Sequence, residues 1–209
     1  MKWISLLSLF FLFACQEPSS DTNTFQEGDI LFLNEAESDL GKAIDGVTSV
    51  VDSFHFFHMG IAKKHQDQIW VYHASSEKGV VFEPLDSFGK RKSGQSYSIY
   101  QFRLKPEYQS SISAALTKAE AYLGQPYNFT YIPTDSGLYC SQYIYLLFES
   151  DSVFHMNPMR FTVPGTDSIP QAWLEHYAQL GKAIPEGLPG CNPNGMAAEK
   201  VLEYIAIHP

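Results

Sequence analysis

Cysteine is scarce in this sequence: there are three in 209 residues, at positions 15, 140 and 191, with no CxxC pair and no clustered Cys/His ligands. Structural zinc of the finger or ribbon kind is therefore excluded. Basic residues are few as well, 14 against 23 acidic ones for a formal net charge of −9. Such a chain has no electrostatic footprint for phosphate backbones, which excludes nucleic acid as a partner class. A long apolar run is missing too, since the stretch at 3–14 is too short to span a bilayer comfortably. Internal repeats are not apparent, so a solenoid or propeller is not expected.

What the amino terminus does have is Lys2, the apolar run and then LFAC at 12–15. This predicts an export signal over 1–14, and Leu12, Phe13, Ala14 and Cys15 resemble a bacterial lipobox, with Phe13 bulkier than usual at its place. The implied outcome is lipidation of Cys15 and membrane attachment through that lipid, in the bacterial cell envelope on the extracytoplasmic side. An ordinary cleaved signal, or a misplaced start codon, is the alternative. Residues 15–25, rich in Ser, Thr, Pro and Asp, read as a tether, and the folded domain is expected over 26–209. In an oxidising compartment Cys140 and Cys191 could simply form a disulfide. HFFH sets His55 and His58 three apart, a spacing that would suit a metal on a helix, but the MGIA that follows reads as strand, so no metal site is expected.

With 44% hydrophobic and 14% aromatic residues, the remainder suits one globular domain with a sizeable core. GDILFLN (28–34) reads as a strand and 38–51 as a helix, with Leu40, Ala43, Ile44 and Val47 on one face. Four short aromatic or β-branched runs, at 57–64, 68–74, 79–85 and 96–104, predict a meander of neighbouring strands. Helices are predicted over 107–123, with Gly124 as cap, and 170–180. The fold class is α+β, with an irregular carboxyl end.

GLYCSQYIYLLFE (137–149) places Cys140 after the turn-rich TDSG and at the start of an apolar run long enough for about three helical turns. First-turn N–H groups and the helix dipole would lower the thiol pKa and could hold an oxyanion, though a buried structural cysteine fits this place equally well. The histidines favour chemistry. A tight hairpin about His65 and Gln66 would set His58 directly opposite His73, with Cβ atoms roughly 5 Å apart. An offset loop would make the pair diagonal. His58, Gly60 and Ala62 share a strand face, and the two small residues leave room for a close helix, for which the one bearing Cys140 is the candidate.

In order, GDILFLN, SDLGKAIDGVTS, FHMGI, VYHASSEKGVVFEPLDSF, GQPYNF, LYCSQYIYLLF and PGCNPN resemble the YiiX/YebB-like branch of the NlpC/P60 cysteine hydrolases, a circular permutation of the papain-like fold. The resemblance covers 26–205. It implies an antiparallel sheet packed against the cysteine-bearing helix, and a papain-like cysteine peptidase or amidase needing no cofactor. Cys140 is implied as nucleophile, His58 as base and His73 as third polar member, where many relatives have Glu. Tyr127 and Tyr139 are candidates to line a cleft, and Cys191 reads as incidental. Cell-wall (murein) peptides are the implied substrate. A lipid-directed acyltransferase or thioesterase, or a non-catalytic module binding an amino acid, peptide or lipid, are the alternatives.

Overall fold

The computed structural model describes residues 24–34, 36–48 and 55–209. The expected export signal and Cys15 lie outside the described residues. Five elements form the first half of the sheet layer: β1 (Ile30–Asn34), β2 (Phe56–His65), β3 (Gln68–Ser75), β4 (Gly79–Pro84) and β5 (Ile99–Leu104). Helix α1 (Asp39–Thr48) separates β1 from β2, and a single-turn α2 (Leu85–Phe88) follows β4. Helices α3 (Ile112–Ala121) and α4 (Cys140–Phe148) come next. Two-residue β6 (Asn157–Pro158), α5 (Gln171–Leu180), two-residue β7 (Pro189–Gly190), α6 (Pro193–Ala197) and β8 (Leu202–His208) complete the chain.

The main sheet is antiparallel, with the order β4-β3-β2-β1-β5-β8. Only β2, β3 and β4 form the expected meander, because β1, the strand with four fully or almost fully buried residues, sits between β2 and β5. The carboxyl end is less irregular than expected: β8 pairs along β5 and closes the sheet edge. Its signal is weak in sequence because an edge strand buries little, and Tyr204 and Ile207 stay exposed.

One sheet face, with Phe32, Phe56, Met59, Ile61 and Phe102, packs against Ala115 and Ala119 of α3 and Tyr143, Ile144 and Phe148 of α4. The other face carries Leu31, Leu33, Ala62 and Val71, with Phe88 of α2 packed in the same cluster. Each such side chain removed from water contributes about 1.5–3 kcal/mol, so the two faces hold the sheet between two apolar layers. The expected close approach of the cysteine helix to the Gly60–Ala62 face is thereby corrected. Helix α4 lies on the Met59–Ile61 face, and Gly60 instead makes room for β3, since a Cβ there would meet Val71 Cγ1 at 2.5 Å and His73 Cβ at 3.1 Å.

The β2–β3 hairpin turns on Gln66 and Asp67, both left-handed at φ 47° and 62°, the combination of a two-residue type I′ turn. The ladder therefore pairs His65 with Gln68 and Ile61 with Tyr72. Relative to a turn at His65 and Gln66 the register moves by two residues, which makes His58 and His73 diagonal neighbours. A shift of two preserves the face, because side chains alternate with period two.

Candidate active site

Helix α4 begins at Cys140, directly after an extended Tyr139 (ψ 163°). The turn that delivers it needs Gly137, whose φ is 89° and whose missing Cβ would lie 2.5 Å from the Pro126 carbonyl. The Gln142 side chain accepts the Tyr139 N–H at 3.4 Å and donates to the Pro133 carbonyl at 3.0 Å, tying the first turn to the preceding loop. Ser141 donates its hydroxyl to the Cys191 carbonyl at 3.0 Å. Cys140 and Cys191 are both buried and both free, so the disulfide alternative does not describe this structure.

The sulfur of Cys140 interacts with the N–H groups of Ser141 and Met59 and with the Tyr127 hydroxyl. Met59 N belongs to the peptide that links it to His58, so the thiol rests against the backbone of the histidine strand. That contact is open because the β2–β3 ladder begins only at Ile61, leaving residues 56–60 of β2 without a β3 partner strand. The electrostatics differ from the expected lowered thiol. Burial pushes Cys140 up to about 11, against the opposing pull of these donors and of its own backbone N–H. Burial also holds His58 well below the usual imidazole value, His73 adds to this, and Glu83 opposes it. Desolvation outweighs the helix terminus, and at neutral pH both groups rest uncharged.

Behind His58 runs a chain of hydrogen bonds across three strands. His58 Nε2 lies 2.8 Å from His73 Nδ1, and His73 Nε2 lies 2.9 Å from Glu83 Oε1 on β4. Lys78 Nζ closes the chain on Glu83 Oε2 at 2.6 Å. The hydrogen bond from His73, with Lys78 behind it, pulls the Glu83 carboxyl down to about 2. A carboxylate only accepts, so His73 Nε2 carries a proton and donates it. With that as its single ring proton, His73 accepts at Nδ1 and His58 donates from Nε2. The lone pair of His58 is then on Nδ1, which has no hydrogen-bond partner among the described residues. A general base needs such a free lone pair.

Sequence reasoning did not find Glu83, which lies diagonal to His73 on the neighbouring strand, with Val71 directly opposite. Its only signal is a carboxylate inside the apolar run GVVFEP. Cys191 was also undervalued. Its N–H donates to the Tyr139 hydroxyl at 3.3 Å, and it shares with Cys140, Tyr127 and Tyr139 the wall of a cleft of about 490 Å³, open mouth included. Of the other histidines, His55 pairs with Asp45, His155 with Glu199, and His176 and His208 bond to Phe129 and Gln101.

A histidine backed by a histidine and a carboxylate, on strands that precede a cysteine at a helix start, is a papain-like arrangement in permuted order. The family model of permuted papain-like amidases, YaeF/YiiX, C92 family, matches residues 24–206. The chain belongs to this family. Its fold is shared with the crystal structure of the metalloprotein YiiX from Escherichia coli O157:H7, at 22% identity and a TM-score of 0.70, covering 88% of this chain and 97% of that one. No curated protein matches the chain. Membership makes this a chain of the papain-like amidase superfamily with an α+β, circularly permuted papain-like fold. The metal named for that relative finds no ready donor set here. Among the described residues no three His, Cys, Asp or Glu side chains form a metal-holding group, and within the His58–His73–Glu83 relay only Nδ1 of His58 is without a partner.

Proposed function

We propose that the chain is a cysteine amide hydrolase in which Cys140 is the nucleophile and His58 its general base, positioned by His73 and Glu83. The observation that carries this is the Nδ1 of His58, without a hydrogen-bond partner among the described residues, next along the chain to Met59, whose N–H interacts with the Cys140 sulfur. Because thiol and imidazole both rest neutral, proton transfer accompanies attack instead of preceding it. His58 Nδ1 takes the thiol proton as Sγ bonds to the amide carbon, and the imidazolium that forms is stabilised through His73 by the Glu83 carboxylate. The carbonyl oxygen becomes an oxyanion held by the Cys140 N–H and the Tyr127 hydroxyl, which already meet at this point. Collapse returns the proton to the leaving amine, and water releases the acyl enzyme.

The envelope location proposed from the amino terminus puts murein within reach, and wall peptides are what the NlpC/P60 resemblance implies. The composition of the cleft, treated below, bears on which amide is cleaved. The test of the chemistry is trapping. The full chain, treated with an activated acyl donor such as a p-nitrophenyl ester, should gain one acyl group on Cys140 by peptide mass spectrometry. His58→Ala should acylate at least a hundredfold more slowly at pH 7, and Cys140→Ala not at all. Acylation at Cys191 instead, or equal rates in His58→Ala, would overturn the assignment.

A further inference from the structure

The wall of the cleft is built from apolar and aromatic groups: Ile44, Phe57, Tyr131, Met159, Phe161 and Trp173 face the same space as Cys140. Trp173 is buried, and its indole N–H has no acceptor among the described residues. Ser141, Thr48 and Asn192 are the few neutral polar contributions beyond the tyrosines. A single charge joins them. Arg160 lines the cleft, is exposed, and makes no ion pair among the described residues. In a chain of net charge −9, a lone cation without a partner at this site is out of keeping with its surroundings. Asp, Glu and Lys are absent from the described lining. A murein stem peptide carries free ammonium groups as well as carboxylates, and a site for it would need an acid to meet the amine. The described lining offers an apolar wall and one cation, which match a ligand that is apolar at one end and anionic at the other.

We infer that the substrate is an amide joining an apolar acyl chain to an amine that bears an acidic group, an N-acyl amino acid in its simplest form, with the chain against the aromatic wall and the acid at Arg160. This rests on the thiol hydrolase reading. The bond changes balance without any co-reactant beyond water. Sγ of Cys140 bonds to the acyl carbon, the C–N bond breaks, and the thiol proton passes through His58 to the amine, which leaves as the free amino acid. Water then cleaves the thioester to the fatty acid and regenerates the thiol.

The experiment uses the full chain in mild detergent with four probes: N-dodecanoyl-L-alanine, its neutral carboxamide, N-acetyl-L-alanine and the tripeptide L-Ala-γ-D-Glu-diaminopimelate. The dodecanoyl acid should be cleaved best. Shortening the chain should lower kcat/KM by about fourfold per methylene lost from the cleft, as expected for buried CH2 groups. The acid should be preferred over the carboxamide by roughly three- to tenfold, through KM, and Arg160→Gln should erase that preference. Trp173→Ala should reduce the chain-length dependence. Equal cleavage of acetyl and dodecanoyl probes, a preference for the tripeptide, or an acid preference that survives Arg160→Gln would each overturn the inference. Calorimetric binding of the same probes to Cys140→Ala separates the two claims. Binding that follows chain length and Arg160 in a protein whose wild type turns over none of the probes keeps the ligand class and sinks the hydrolase reading, whereas turnover without that selectivity does the reverse.

Discussion

A thiol pushed up to about 11 and an imidazole held well below its usual value make a resting pair with no charge at pH 7. This separates the site from an ion-paired cysteine–histidine couple and has a direct kinetic signature. Iodoacetamide reacts with the thiolate, and with a midpoint near 11 only roughly one Cys140 in ten thousand is ionised at pH 7. For an acid whose folded value is raised, the neutral form persists until the pH approaches that raised value. Alkylation of Cys140 should therefore climb about tenfold per pH unit between pH 7 and 10 without a plateau. His58→Ala should change that climb little, although it removes the base for acyl transfer. A plateau with a midpoint below the ordinary thiol value of about 8.5 would show an ion pair and refute the neutral pair. That Cys140 starts a helix and that His58 meets His73 was legible in the sequence, because each sits in a short motif between turn signals. Their charge state was not, because desolvation depends on what covers the sulfur, and the covering groups come from Tyr127 and Met59, distant in the chain.

At the scale of elements, the site is a product of strand register. The strands and the cysteine helix were readable from alternation and from the TDSG break. The register of the β2–β3 hairpin was misread by two residues, because Gln66 and Asp67 adopt left-handed angles without the Asn-Gly or Asp-Gly pair that announces such a turn. The error left the face intact, so the His58–His73 pairing was found for a geometry that is diagonal instead of direct. Glu83 escaped notice for a related reason: its bond to His73 requires the β3–β4 register, which nothing in GVVFEP specifies. The relay also needs β2 and β3 in close contact where Gly60 lies beside His73. A Cβ on residue 60 would come within 2.5 Å of Val71 Cγ1 and 3.0 Å of the Tyr72 carbonyl. Val71 can shift by a rotamer but the carbonyl belongs to the ladder, so Gly60→Ala should cost about 1–3 kcal/mol through overpacking. Urea denaturation should show this loss, accompanied by a drop in acyl-enzyme formation as the histidines separate. A loss under about 0.5 kcal/mol would mean that β3 is not held against this glycine.

At the scale of the whole molecule, no described helix is long and apolar enough to cross a membrane. Packing begins slightly earlier than the expected boundary at 26. Phe25 is buried and stacks on His208 at 4.2 Å, while the Thr24 carbonyl accepts from Gln101 and Arg103, whose guanidinium also grips the buried Asp29. The chain thus leaves the domain from the β5–β8 side of the sheet. If Cys15 carries lipid, eight residues lie between it and Thr24, a reach of at most about 30 Å when fully extended, which confines the cleft to the zone beside the bilayer. That zone is also where amphiphilic acyl amides concentrate, so anchor and cleft composition suit one another. Produced in a bacterium with lipoprotein processing, the full chain should enter the detergent phase on phase separation, and Cys15→Ala should stay in the aqueous phase with the same thermal stability. A Cys15→Ala protein that still partitions into detergent, or a wild-type chain released without lipid, would remove the anchor and with it the reason to look for the substrate at the membrane surface.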